Sequence, residues 1–398
     1  MKYNFDEVVD RINEPGTYSI KWADNAMIRK FIGAKEALAP DRISYFTADM
    51  DFRCPPAVKE ALQVVLDHDI FGYSAPDQEY FEAVCGWFKR RFDWEFSPES
   101  VFIAHGTHEG IRDLIPIYTK EGDGVMLFTP SYAYDSDVVP QGRKLVKIPM
   151  NENRENGYYT IDFAKFEEEA KKPENTMLVM IQPHNPTGRI FTVEEIKKIG
   201  EICRANDVII VSDEVHIDLT RDGHKIEPVM KVLGPKGVIA ATAVNKTFNL
   251  AGLAMSNMIV EDPELRAKMK PGFGASPFGI ASVKGAYGGG SDEWVDELNK
   301  YLDTCVHYAV DRFHADLPKA RVFSPEATYV LWIDFAAYGL SDEELDDRIF
   351  NKAKVLLGAG NWLDPLPGTQ MRRMCVTSSM EVLEKAMDRI KEAFADLN

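Results

Sequence analysis

The chain has 398 residues, too long for one ordinary core, and its 45% hydrophobic content is enough to fill two. A formal net charge of −17 argues against nucleic acid or an anionic membrane as a partner. Five cysteines without CxxC spacing indicate neither a disulfide framework nor a metal site and fit a reducing, cytoplasmic setting; the acidic start MKYNFDEVVDRINEPG has no signal-peptide core, and no later run is long and apolar enough to span a bilayer.

Residues 1–50 carry few periodic elements and are expected either to pack against a C-terminal domain or to reach toward a second subunit. VFIA (101–104) predicts a strand. Ile111, Leu114, Ile115 and Tyr118 at helical spacing predict a helix after it, kinked or shortened by Pro116. Between the two, Gly106, Thr107 and His108 form a βα turn whose free amides and helix dipole suit a phosphate, though many such turns are only turns. VMLFTP (125–130) predicts the next strand, and Tyr132 just past it is placed either to stack on a planar ring or to pack in a core.

Three β-branched runs follow, MLVMI (177–181), VIIVS (208–212) and GVIAATAV (237–244), and read as buried parallel strands. A helix from Val193 to Asn206, opened by a capping box of Thr192 and Glu195, separates the first two. This alternation predicts an α/β fold with a large, doubly wound, mainly parallel sheet. From about residue 290 the pattern changes to a long charged helix, strands at YVLWIDF (329–335) and RRMCVT (372–377), and helices with capping boxes at Ser341/Glu344 and Ser378/Glu381. The expected division is an arm over 1–50, a large domain over 51–290 and a smaller α+β domain over 291–398.

Asn185, Asp213 and Lys246 each stand just past one of the three apolar runs. In an open α/β sheet the carboxyl ends of the strands face the ligand crevice. An amide, a carboxylate and an amine gathered there match the needs of pyridoxal phosphate: a partner for its ring oxygen, a counter-charge for its ring nitrogen and a covalent amine. Each residue also has a plainer reading, as a turn residue, a cap and a solvated lysine. Val244, Phe248 and Leu250 around Lys246 favour a desolvated amine with a lowered pKa. His216 is placed to orient Asp213, to approach the ring oxygen or to serve structure alone. Neither GxGxxG nor GxxxxGK[ST] follows a strand, which sets aside a nucleotide-binding enzyme.

Taken together, the chain resembles the aspartate-aminotransferase-type (fold type I) pyridoxal phosphate enzymes, and among them the cystathionine β-lyase or C–S lyase subgroup known as the MalY/PatB family. The similar segments run almost end to end: SIKW (19–22), ADMDF (48–52), FGYS (71–74), PHNPTGR (183–189), SDEVHIDL (212–219), NKTFNLAGL (245–253) and TYVLWIDF (328–335). ADMDF and DEVHIDL discriminate, because general aminotransferases usually carry tyrosine where this chain has His216.

The resemblance implies the pyridoxal phosphate-dependent transferase fold, with Lys246 as covalent partner and general base, Asp213 on the pyridine nitrogen, Asn185 on the ring oxygen with His216 nearby, and Tyr132 stacked on the ring. It places Gly106, Thr107 and His108 at the phosphate and Arg373 on the substrate carboxylate. Tyr73 would reach the phosphate of a neighbouring subunit, which implies a homodimer with shared active sites. Arg372 is adjacent to Arg373, and since strand residues alternate faces only one of them can enter the pocket. The implied activity is β-elimination from cystathionine or a related S-substituted L-cysteine, giving a thiol, pyruvate and ammonia. An aminotransferase using the same residues is the alternative. Five departures from the family pattern surround the site: GTHEGI replaces a more apolar phosphate loop, Ala133 and Tyr134 replace prolines, Asn245 replaces a hydroxyl residue, SPFGIAS (276–282) differs near a segment that usually lines the site, and RRMCV lacks the asparagine usual two places after the arginine.

Overall fold

The computed structural model describes residues 2–398 apart from 13–16, 33, 35, 36, 133, 156, 271–273 and 364, so Ala133 lies outside the described residues. Seven strands build the central sheet: Val101–Ala104 (β1), Gly124–Thr129 (β2), Lys144–Pro149 (β3), Asn175–Ile181 (β4), Ile209–Asp213 (β5), Val238–Ala243 (β6) and Ser256–Ile259 (β7). Their order across the sheet is β1-β7-β6-β5-β4-β2-β3. Strands β2 to β6 pair in parallel, while β7 runs antiparallel to both β1 and β6. Because Ala104 and Ala243 both lie opposite Ser256, β1 ends on the same side of the sheet as the parallel strands. The order reverses between β4 and β2, the kind of switch point at which an open α/β sheet takes its ligand.

The apolar runs are strands because both faces of them are covered: β2 and β6 are buried along their whole length. Two strands of the central sheet escaped the sequence expectation. β3 alternates lysine with apolar residues and forms one edge, where lysine blunts further pairing, and β7 reads SNMI, too short and polar to signal a strand. Thr107–Tyr118 (α1) follows β1 and buries Ile111, Leu114, Ile115 and Tyr118. Pro116 falls in its last turn. The carbonyl it leaves without a helical donor, that of Arg112, accepts instead from Gln141 Nε2 at 3.0 Å. Val193–Ala205 (α2) opens with the expected capping box of Thr192 and Glu195.

A second sheet contains Arg321–Val322 (β8), Val330–Asp334 (β9), Gly358–Ala359 (β10) and Met371–Cys375 (β11), antiparallel throughout in the order β8-β9-β11-β10. Asp292–Asp316 (α3) and Met380–Phe394 (α4) pack together beside it. The capping box of Ser341 and Glu344 forms as expected. That of Ser378 and Glu381 does not. The N-cap of α4 is Ser379, which makes no side-chain cap, and the Ser378 hydroxyl is instead 2.6 Å from the Tyr45 hydroxyl. The first free amide, Met380 N, donates to Tyr301 Oη of α3 at 2.9 Å, so the cap comes from the neighbouring helix. Among the described residues, no helix is long and apolar enough to cross a membrane.

The N-terminal arm is tied to the second sheet. Ile43–Ser44 pairs in parallel with Val355–Leu356. Lys21, fully buried, donates from Nζ to Asp51 Oδ2 at 2.9 Å and to Thr377 Oγ1 at 3.2 Å. Arg11 and Trp22 reach the other Asp51 oxygen, at 2.9 and 3.0 Å. Removing one member of a buried ion pair strands its partner, so Lys21→Ala is expected to cost on the order of 3 kcal/mol in urea unfolding. A loss well under 1 kcal/mol, as for surface pairs, would mean that Arg11 and Trp22 alone satisfy Asp51.

Candidate active site

The residues expected to carry chemistry come from five strand ends on one side of the central sheet. Thr107 and His108 follow β1, Tyr132 follows β2, Asn185 follows β4, Asp213 ends β5, and Lys246 follows β6. With His216 and Arg373, all of them line one cavity of about 720 Å³. Arg11, Lys21 and Asp49 of the arm and Trp362 also line it. Gly106 sits just behind as the N-cap of α1, at φ 135° and ψ 156°. Only glycine adopts that backbone readily, and a Cβ there would collide with the Glu109 carboxylate. Tyr73 is the exception: its side chain is fully exposed and is not among the described residues lining the cavity.

Lys246 is largely buried in the cavity wall and donates from Nζ to the carbonyl of Ala48 at 3.0 Å. Burial holds its ammonium below the ordinary lysine value, and the Arg373 guanidinium pushes the same way. The apolar setting read from the sequence is present, since Val244, Phe248 and Leu250 are buried. The turn after the lysine is pinned by Asp218, which accepts from Thr247 Oγ1 at 3.0 Å. Asn249 then stitches that turn to ADMDF, accepting from Met50 N and donating to Met50 O, both at 2.8 Å.

Asp213 is buried, and burial raises its carboxyl above the usual range. Opposing that shift, Tyr134 Oη donates to Oδ2 at 2.7 Å and Val215 N donates to Oδ1 at 3.2 Å. His216 is held well below its ordinary value by burial, with the Lys246 and Arg373 charges adding to the effect, so its ring is neutral. Arg372 and Arg373 alternate across β11 as expected. Arg372 turns away and bonds Asp346 Oδ1 through Nε and Nη2 at 3.1 and 2.8 Å. Arg373 faces the cavity, with its guanidinium carbon 5.5 Å from the Trp362 ring centre and 5.9 Å from that of Tyr132.

Among the described residues, Asn185 Oδ1, His216 Nδ1, and Arg373 Nε and Nη1 are buried without a hydrogen-bond partner. Each such atom costs about 1–3 kcal/mol unless a ligand satisfies it. Arg373 Nη2 donates to the Phe46 carbonyl at 3.1 Å. An amide, a carboxylate, an amine, a helix N-terminus and a guanidinium with two unsatisfied nitrogens around one cavity fit pyridoxal phosphate together with an amino-acid carboxylate. Sequence reasoning missed Tyr134, noted only as a departure, along with Trp362 and the lining contributed by the arm. The signal for the arm was present in SIKW and ADMDF, which supply Lys21 and Asp49.

The PHNPTGR turn carries a pH-sensitive group. His184 is buried and held down to about 3, first by burial and then by the Arg189 charge. Below pH 6.5 the unfolded chain binds a proton that the folded chain refuses, so stability from this group is complete above 6.5 and is lost as pH falls toward 3. Wild type is therefore expected to lose stability relative to His184→Gln by up to about 1.4 kcal/mol per pH unit in that window. Unfolding free energies of both proteins at pH 7 and pH 5 check this, and a constant difference would rule out a neutral His184.

The description of the matching family model is "Aminotransferase class I and II", and the match covers residues 44–390. The chain is 36% identical to cystathionine beta-lyase PatB of Bacillus subtilis, over 98% of this chain and 100% of that protein. Protein MalY of Escherichia coli is 26% identical over 90% of both chains. Among solved structures, cystalysin from Treponema denticola, which contains pyridoxal 5'-phosphate, superposes with a TM-score of 0.91 at 29% identity and covers 100% of both chains. Sequence, fold and donor set agree: the chain belongs to the class I and II aminotransferase family, as a pyridoxal phosphate-dependent enzyme of its MalY/PatB cystathionine β-lyase subgroup.

Proposed function

We propose that the chain eliminates the β-thiolate of cystathionine or a related S-substituted L-cysteine, giving a thiol, pyruvate and ammonia. The observation that carries this reading is the full-length similarity to a cystathionine β-lyase, joined to a cavity in which an amine, a carboxylate and a guanidinium with two unsatisfied nitrogens converge. When bound, pyridoxal phosphate supplies an electron-withdrawing ring that stabilises negative charge at the substrate α-carbon. Lys246 would hold the cofactor through its amine and would take the substrate α-proton as general base, a task eased by its lowered pKa. Asp213 would hold the ring nitrogen and Asn185 the ring oxygen, with His216 as a neutral neighbour. Tyr132 would hold the ring by its face. The amides of Thr107 and His108, following Gly106, would hold the phosphate at the start of α1. Arg373 grips the substrate carboxylate with its planar fork.

The family match also favours a second reading, an aminotransferase. Both readings share every protein group up to proton removal, then differ in whether the thiolate leaves or the proton returns to the cofactor. Incubating the loaded protein with L-cystathionine, cysteine S-conjugates and ordinary amino acids separates them. Pyruvate and thiol released together, with the cofactor spectrum restored, support the lyase. Accumulated pyridoxamine phosphate, reversed by a keto acid, would replace it with the aminotransferase.

The reading includes a homodimer with shared active sites, in a cytoplasmic setting. Ile70, Phe71 and Tyr73 form an exposed apolar segment that a second copy would cover, bringing Tyr73 to the partner's phosphate site. The cysteines are all free thiols, in keeping with a reducing compartment. Residues 1–50 serve as an arm, 51–290 as the cofactor-binding domain and 291–398 as the smaller domain.

A further inference from the structure

Two of the departures from the family pattern, His108 in GTHEGI and Tyr134 after Tyr132, lie against each other in space. Their rings stack, with centres 4.6 Å apart and an interplanar angle of 11°. Tyr134 is fully buried and donates from Oη to Asp213 Oδ2 at 2.7 Å. On the far side of the stack, His108 Nδ1 is 2.8 Å from Asp137 Oδ2. Asp137 is itself buried, and its carbonyl accepts from Gln141 Nε2 at 2.7 Å. The result is a chain of contacts, Asp137 to His108 to Tyr134 to Asp213, that joins the segments after β1 and β2 to the end of β5.

A buried tyrosine hydroxyl nearly always finds an acceptor. Here the acceptor is the carboxylate assigned to the cofactor, and Val215 N holds its second oxygen from behind at 3.2 Å. An ionised carboxylate has about four acceptor positions. With one on each oxygen occupied by protein donors, the group cannot rotate freely, and it still lines the cavity. Changing one ring of the stack without the other would leave a void or a clash, so the two departures act as one unit.

We propose that Tyr134 is a positioning residue for Asp213, its hydroxyl held in place by the stacked His108 ring, and that it sets the carboxylate plane that would meet the ring nitrogen of pyridoxal phosphate. This rests on the assignment of Asp213 to that nitrogen. The test compares two ligands binding to the apoprotein at equilibrium: pyridoxal phosphate, and its carbocyclic analogue with CH in place of the ring nitrogen. Tyr134→Phe keeps the stack and removes only the hydroxyl. It is expected to weaken pyridoxal phosphate binding by about 10- to 100-fold, the range for a hydrogen bond to a charged group, and to leave the analogue unaffected.

Equal weakening of both ligands would make Tyr134 a packing residue and overturn the proposal, as would no weakening of either. If wild-type protein binds both ligands equally, the Asp213 assignment itself fails; a wild-type preference that survives in Tyr134→Phe removes Tyr134 alone. His108→Leu leaves Tyr134 in place but takes away the ring stacked on it. The same selective loss in smaller measure is expected, and this variant carries the test if Tyr134→Phe does not fold. Unchanged selectivity in His108→Leu would overturn the part given to His108.

Discussion

Lys246→Ala is expected to abolish the visible absorbance that pyridoxal phosphate acquires on binding, and to lower pyruvate release from the best substrate by at least about 10³-fold. The first effect follows from losing the amine placed at the end of β6 in the cavity wall. The second follows because the same group takes the α-proton, and a positioned base is worth about 10²–10⁴-fold by itself. Folding should survive, since among the described residues the ammonium's one hydrogen bond is to the Ala48 carbonyl. Absorbance after reconstitution, read beside a thermal melt, separates loss of chemistry from loss of structure. Turnover that persists in a folded variant would remove Lys246 from the mechanism.

The next largest effect divides two neighbouring arginines. Arg373 has two guanidinium nitrogens buried without partners and faces the cavity, whereas Arg372 is engaged by Asp346 and Asp342 on the opposite face of β11. Arg373→Ala is expected to raise KM for amino-acid substrates on the order of 100-fold, the value of losing a bidentate pair to a carboxylate. Arg372→Ala should leave KM nearly unchanged and instead lower stability by about 3 kcal/mol, because Asp346 loses the cation that pairs with it. Steady-state kinetics and urea unfolding on both variants decide the matter. The opposite pattern would move the carboxylate role to Arg372.

Much of this site was legible in the sequence because its placement is local. Asn185, Asp213 and Lys246 stand just past apolar runs, and strand ends in an open sheet share one side, so their convergence needs no long-range information. The alternation of Arg372 and Arg373 was equally local, although which face met the cavity depended on pairing between β9 and β11. What stayed hidden depends on partners distant in sequence. Tyr134 meets Asp213 across 79 positions, and nothing in the SYAYD segment announces that acceptor. Ser378 and Glu381 have capping-box spacing, but the Ser378 hydroxyl is taken by Tyr45 from 333 positions away. The edge strand β3 was lost for the opposite reason, because exposure freed it from the apolar pattern that marks buried strands.

The tie between Lys21 and Thr377, 356 positions apart, also bears on the order in which the molecule can be made. Several residues that secure the arm, Val355, Leu356, Thr377 and Ser378 among them, leave the ribosome near the end of synthesis. The strand ends that carry Asn185, Asp213 and Lys246 emerge well before. Contacts of such separation form late because the loop they close is costly to order. A nascent chain therefore has the strand ends of its cofactor cavity before the last anchors of the arm, and in that interval the cavity wall that Arg11, Lys21 and Asp49 contribute is only partly secured.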